Sequence, residues 1–200
     1  MSYFIEVRTI DFLYIDKLII KKSLNNHSIL ELEGEIKEDD IEKYKKIIGQ
    51  KTEIILNNDE DKRCIYCGII EDIQINITNH NYILKITAYS YSYQSDKIKK
   101  FEIHQNINKT YKDILENINK NYKYQFSLRN KKDEKTGNLI LQHNETDFEF
   151  IKRLGSYLNE NILINGSYEN ERIDIGLINQ DSTKLENINY KININKETTE

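Results

Sequence analysis

Along the first hundred residues apolar and polar positions alternate with a period of two, which is the signature of half-buried β-strands. Residues 3–7 alternate, and "YIDKLIIKKSL" (14–24) and "SILELEGEI" (28–36) follow as strands around the turn "NNH". The pattern breaks once, in "EDDIEKYKKIIG". Acidic residues fill the first turn, Ile41, Tyr44, Ile47 and Ile48 are spaced for one face, and Gly49 stands at the stop position, so a short helix is predicted. "TEIILNN" (52–58), "RCIYCGIIEDIQINIT" (63–78) and "NYILKITAYSYSYQ" (81–94) then read as strands. The stretch 68–90 predicts a long antiparallel hairpin, with Ile73, Ile75 and Ile77 on one face and Ile86 and Ala88 answering them. Such closely spaced strands suggest a small barrel or a curled sheet, because closure removes edges open to aggregation.

Near residue 100 the period changes. "FEIHQN" leads into a helix in "NKTYKDILENINKNY", with Tyr111, Ile114, Leu115 and Ile118 on one side and Thr110 with Asp113 as a capping box. The charged segment 129–138 reads as a mobile turn, followed by a strand at 139–143 and a helix from 147 to about 159. Strands are predicted near 161–167, 171–178 and 187–195. The fold class expected is α+β, mainly β. A β-barrel domain with a short helix occupies 1–100 and a small α+β domain with two helices occupies 101–200, the boundary falling between 95 and 108.

Composition narrows the function classes. The formal charge is −4 with acids and bases interspersed, so no basic stripe marks a nucleic-acid binder; the cluster Lys97-Ile98-Lys99-Lys100 reads as a solvated strand end. No run reaches the roughly 18 apolar residues of a membrane span, and the N-terminus reads as a strand, not a signal peptide. A protein made and kept in the cytoplasm, unless a machine carries it out, is expected. The abundance of Ile, Asn and Lys, all with A/T-rich codons, reflects a low-GC genome.

Two cysteines form a C-x2-C pair, Cys64 and Cys67, which can be half a zinc site or a redox motif. A zinc site needs four ligands, and His27, His80, His104 and His143 are scattered. On a strand, positions three apart face opposite sides, so these read as ordinary strand thiols. No metal and no cofactor is expected.

The segment "LQHNETDFEFIKRLGSYLNENILI" (141–164) stands out. Thr146 is a good N-cap with Glu149 three residues on, Asp147 and Glu149 suit the positive end of the helix dipole, and Phe148, Ile151, Leu154, Gly155 and Leu158 form one face. Gly155 lowers helix propensity by about 1 kcal/mol relative to Ala, which calls for something packed closely against it. His143, Glu145 and Asp147 could be an acid–base set or metal ligands. Yet capping and turns demand these residue types anyway, and no nucleophile motif, HExxH or glycine-rich phosphate loop accompanies them. The helix reads as packing, with no catalytic residue.

At these residues the sequence resembles the baseplate hub family of contractile injection systems: VgrG spike proteins, phage late-control D proteins and phage tail hubs. Glu145, Thr146, Asp147, Phe148, Phe150, Ile151, Arg153 and Leu154 match the family motif position by position. "KKFEIHQNINKTYKDILENI" (99–118) is similar to the family's basic-aromatic strand and following helix, and "YCGIIEDI" to the end of its first barrel.

The resemblance implies a structural, non-catalytic part of a tail, tailocin or secretion particle: a tail-tube-like barrel in a homotrimer that joins the tail tube protein to the spike protein and other baseplate proteins. Assembly would occur in the cytoplasm, followed by incorporation into a phage-tail-like particle, with no nucleic acid bound and no membrane anchor. The family's second barrel and its spike β-helix have no counterpart in these 200 residues. This implies a piece of a longer hub, a separately encoded half, or a reduced hub. The competing readings are a cell-wall or glycan-binding module, weakened by the absence of Trp, and a peptidoglycan hydrolase acting through paired carboxylates.

Overall fold

The computed structural model describes residues 4–57, 62–78, 81–129, 134–164 and 172–176. The expected strand at 187–195 lies outside these residues, as do parts of the turn at 129–138 and of the strands near 161–167 and 171–178.

Six strands form one antiparallel sheet: β1 (Phe4–Arg8), β2 (Tyr14–Lys21), β3 (Ile29–Ile36), β4 (Lys51–Asn57), β5 (Lys62–Thr78) and β6 (Asn81–Tyr89). Their spatial order is β1-β4-β5-β6-β3-β2, so β1 and β2 are the two ends of a curled half-barrel. Alternation is carried through in β3, where Leu30, Leu32 and Ile36 are buried and Glu31, Glu33 and Glu35 point the other way. The hairpin register places Ile73 opposite Ile86, Ile75 opposite Leu84 and Ile70 opposite Ala88, with an irregularity between Ile70 and Asp72. These pairs are the cross-strand units that stabilise a sheet.

The predicted short helix is a 3-10 turn (Glu38–Asp40) running into α1 (Ile41–Tyr44). Tyr44 and Ile47 are buried beneath the sheet, and the Tyr44 hydroxyl accepts from the Asp11 amide at 2.8 Å. Ile48 is 58% exposed, a departure from the expected face. The helix ends after Tyr44, so the helical period no longer governs where Ile48 points.

The expected strand through "AYSYSYQ" stops at Tyr89; Tyr91–Asp96 form a 3-10 helix instead. Ser90, Ser92 and Ser95 turn inward and hydrogen-bond locally, with Ser95 Oγ donating to the Ser92 carbonyl at 2.6 Å. Serine side chains offer the backbone this alternative to a ladder. The tyrosines therefore do not share one strand face: Tyr89 and Tyr93 stack at 4.3 Å, while Tyr91 packs against the second core.

Beyond the 3-10 helix come β7 (Lys99–His104), α2 (Tyr111–Asn119), β8 (Gln125–Leu128), β9 (Ile140–Thr146), α3 (Asp147–Tyr157), β10 (Ile162–Ile164) and β11 (Arg172–Ile175). β7 pairs with β9, while β10, β11 and β8 form a small sheet whose β11–β8 pair is parallel. Strand β8 was not foreseen; at four residues with a single buried apolar side chain, Phe126, it is too short to show a period. Two apolar clusters result. One draws on Ile10 through Ala88; the other draws on Ile114 through Ile175 and contains Phe148, Phe150, Ile151 and Leu154.

Gly68 lies where β5 passes under the end of β6. A Cβ there would overlap the Tyr89 carbonyl oxygen and the Tyr66 ring. Gly68→Ala is expected to lower stability by about 1–3 kcal/mol through overpacking, read as a fall in the urea midpoint; an unchanged midpoint contradicts the tight approach.

Candidate functional site

Helix α3 begins with a complete capping box. The Glu149 amide donates to Thr146 Oγ at 3.1 Å, and the Thr146 amide donates to Glu149 Oε2 at 2.9 Å. The second expected box is also formed: Thr110 Oγ accepts from the Asp113 amide at 3.2 Å, and Asp113 Oδ2 from the Thr110 amide at 2.8 Å. Each box satisfies two of the amides that a helix start leaves without partners.

Between cap and helix sits Asp147, 1% exposed. Its Oδ2 accepts from Lys100 Nζ at 2.6 Å and from the Tyr122 hydroxyl at 2.7 Å, and its Oδ1 accepts from Gln142 Nε2 at 3.0 Å. Lys100, Gln142 and Asp147 come from β7, β9 and α3, and Tyr122 from the turn before β8. Burial, and next the carboxylate beside it, pushes the Tyr122 phenol far above its ordinary range. The sequence reading of Lys100 as solvated is corrected: its side chain is 25% exposed and its ammonium closes the Asp147 pair.

Two residues upstream, Glu145 makes a forked pair with Arg153: Nε to Oε1 at 2.9 Å and Nη2 to Oε2 at 2.6 Å. Arg153 also donates to the Leu141 carbonyl at 2.6 Å and to the Tyr157 hydroxyl at 2.7 Å. The guanidinium holds the Glu145 carboxyl below its usual range, and Glu145 in turn raises Arg153. Phe148, Phe150, Ile151 and Leu154 are all buried. Phe150 lies outside the helical face drawn from the sequence, yet it is covered by His104, whose ring lies parallel to it at 5.6 Å. Gly155 meets its expected neighbour, since a Cβ there would lie 3.0 Å from the Glu160 carbonyl oxygen.

The triad His143, Glu145 and Asp147 does not converge. His143 meets the Phe101 ring edge-on at 5.0 Å, Glu145 faces Arg153, and Asp147 faces Lys100. Among the described residues no cluster of three or more His, Cys, Asp or Glu could hold a metal. Cys64 and Cys67 are free thiols, and burial pushes Cys67 up to about 12. A thiol held so far from ionising is a poor nucleophile and a poor metal ligand.

The α3 end of the site is joined to the curled sheet by the turn between β2 and β3. Asn25 donates its amide to the Ile162 carbonyl at 2.9 Å and accepts the Ile162 amide at 2.8 Å. His27 lies against Phe148 with ring centroids 3.9 Å apart. On the far side, the β7–β9 ribbon turns an apolar face outward: Phe101 is 67%, Ile103 58% and Leu141 40% exposed, with Ile103 and Leu141 directly paired. Beside it, an open groove of about 370 Å³ is lined by Tyr111, Leu139, Leu141, Arg153 and Tyr157.

A curled antiparallel sheet, fastened through a capped helix to a small α+β unit, defines a structural scaffold protein. The chain belongs to the phage tail baseplate hub (GPD) family, whose model matches residues 24–156. No curated protein sequence matches it. Solved structures with the same fold include a component of the Escherichia coli type VI secretion system, described as structurally similar to bacteriophage tail proteins (TM-score 0.60, 14% identity, 86% of this chain and 48% of that one). The 43 kDa tail protein of prophage MuSo2 from Shewanella oneidensis is also similar (TM-score 0.62, 15% identity, 86% and 52%), as is a tail protein from Neisseria meningitidis (TM-score 0.66, 11% identity, 88% and 51%). The chain spans about half the length of these structures.

Two tests follow from the charge pairs. Asp147→Ala leaves the Lys100 ammonium unmatched in the interior, and breaking such a buried pair costs roughly 3–5 kcal/mol; a thermal or urea midpoint near wild type refutes the arrangement. Glu145 titrates lower in the folded than in the unfolded chain, so its contribution is present above the ordinary carboxylate range, near 4.3, and is lost as pH falls through the lowered folded value. Glu145→Gln is expected to flatten that part of the acid-unfolding profile, and identical acid profiles for the two proteins contradict the pairing.

Proposed function

We propose that this chain is a structural baseplate hub component of a contractile phage tail, tailocin or secretion particle, and that it helps join tail tube to spike as part of a homotrimer. The observation that carries the reading is the fate of the 145–154 segment in a baseplate hub chain: Glu145, Asp147, Glu149 and Arg153 are each engaged by a partner within the fold. Charges held this way shape a unit for docking and leave nothing aimed at a substrate. On this reading Glu145, Thr146, Asp147, Phe148, Phe150, Ile151, Arg153 and Leu154 act as a structural motif, and the chain performs no catalysis.

The two separate apolar clusters support a division near residue 100 into a tail-tube-like barrel unit and an α+β unit. The exposed face of Phe101, Ile103 and Leu141 supports packing against another protein, because soluble chains rarely leave contiguous apolar surface open to water. No helix among the described residues is long and apolar enough to cross a membrane, which accords with assembly in the cytoplasm followed by incorporation into a particle.

Mass measurement in solution, alone and mixed with the tail proteins encoded beside it, tests the proposal. Self-association or capture by tube or spike subunits is expected, and Phe101→Asp with Ile103→Asp should abolish it while leaving the thermal midpoint nearly unchanged. A strict monomer that ignores those proteins, or one retained instead on purified peptidoglycan, overturns the hub reading.

A further inference from the structure

One directed chain of hydrogen bonds runs from the curled sheet to the start of α3, and a histidine lies in its middle. The Ser28 amide donates to Ser90 Oγ at 3.1 Å, and the Ser90 and Ser92 hydroxyls are 2.8 Å apart. Ser92 Oγ is 2.8 Å from His27 Nδ1, and His27 Nε2 is 3.2 Å from Asp96 Oδ2. The other oxygen of Asp96 accepts from Thr146 Oγ at 2.5 Å, and Thr146 Oγ accepts from the Glu149 amide.

Both ends of this chain have a fixed sense. A carboxylate only accepts and a backbone amide only donates. Asp96 therefore calls for a proton on His27 Nε2. At the other end Ser90, accepting from the Ser28 amide, passes its own proton to Ser92, and Ser92 passes its proton to His27 Nδ1. All these donors and acceptors match when the ring is neutral with its proton on Nε2. A second proton turns Nδ1 into a donor. Ser92 must then reverse its hydroxyl toward Ser90, whose own proton is left facing the Ser28 amide. Ser90 and Ser92 are 1% and 0% exposed, so water is not at hand to relieve the conflict.

The charges around the ring pull both ways. From the 3-10 helix, Asp96 favours the imidazolium. Lys97 sits over Tyr93 at 5.3 Å, and Tyr93 meets the imidazole edge-on at 5.4 Å. From α3, Lys152 lies 5.1 Å over the Phe148 ring that covers His27, while Glu149 is engaged by the Thr146 amide. Burial outweighs the help from Asp96 and, with Lys152, holds the ring below its ordinary value.

We propose that His27 is a proton-operated latch: uptake of a proton reverses the serine chain and loosens the attachment of the α3 N-terminus to the turn between β2 and β3. The latch is closed above the unfolded-state value of about 6.5 and opens as pH falls through the lower folded value. It stands on the junction geometry alone and is independent of the hub reading.

The full chain tests it in two measurements. Proton NMR titration of the His27 ring is expected to give a midpoint below about 6.5. Exchange of the Glu149 amide, corrected for its intrinsic pH dependence, should accelerate with the same midpoint, by up to roughly tenfold for each unit of displacement. His27→Gln keeps an amide donor toward Asp96 and a carbonyl acceptor toward Ser92 without titrating, so its corrected exchange should be flat. A ring midpoint at or above the ordinary value overturns the latch, as does equal acceleration in both proteins. If the variant does not fold, the wild-type chain decides: exchange that accelerates at a midpoint other than that of the ring overturns the latch.

Discussion

The second half of the structure depends on one buried charge. Moving a carboxylate from water into a protein interior costs several kcal/mol unless it is paired and hydrogen-bonded, and Asp147 is 1% exposed. It is matched by a lysine, a phenol and an amide contributed by separate segments: Lys100, Tyr122 and Gln142. Those segments are held in register by the requirement to reach it. Next to it, Thr146 caps α3 and donates to Asp96, so the knot is mechanically continuous with the 3-10 helix that leaves the curled sheet.

This arrangement suits a part that transmits position. Two apolar clusters fold around separate sets of strands, and the connection between them is polar and directional, made by Asn25, His27, Ser92, Asp96 and Thr146. Apolar surface alone would let the halves slide; hydrogen bonds of fixed geometry set one orientation. The outward apolar face of the β7–β9 ribbon then lies on the opposite side of α3 from buried Asp147, where a neighbour can reach it without disturbing the knot.

Local signals were read correctly where the physics is local. Both capping boxes, the β5–β6 hairpin and the close approach at Gly155 follow from residues within a few positions of each other. The failures share a cause. "AYSYSYQ" alternates like a strand, yet its serines find partners in their own segment and on Ser28, and the backbone tightens into a 3-10 helix. Lys100 looked solvated because its partner lies forty-seven positions away. Asp147 was legible as a helix-dipole residue but not as a buried centre, since Tyr122 and Gln142 carry no mark in the sequence that ties them to it. His27 gave no signal at all: a lone histidine in a turn acquires meaning only from Ser92, Asp96 and Phe148.

A double-mutant cycle between Lys100 and Asp147, using Lys100→Met and Asp147→Asn, tests the central claim most directly. If the buried pair organises the fold around α3, the two substitutions interact by about 1–3 kcal/mol in unfolding free energy. Additivity within roughly 0.5 kcal/mol would mean that the two side chains stand near each other without holding anything together.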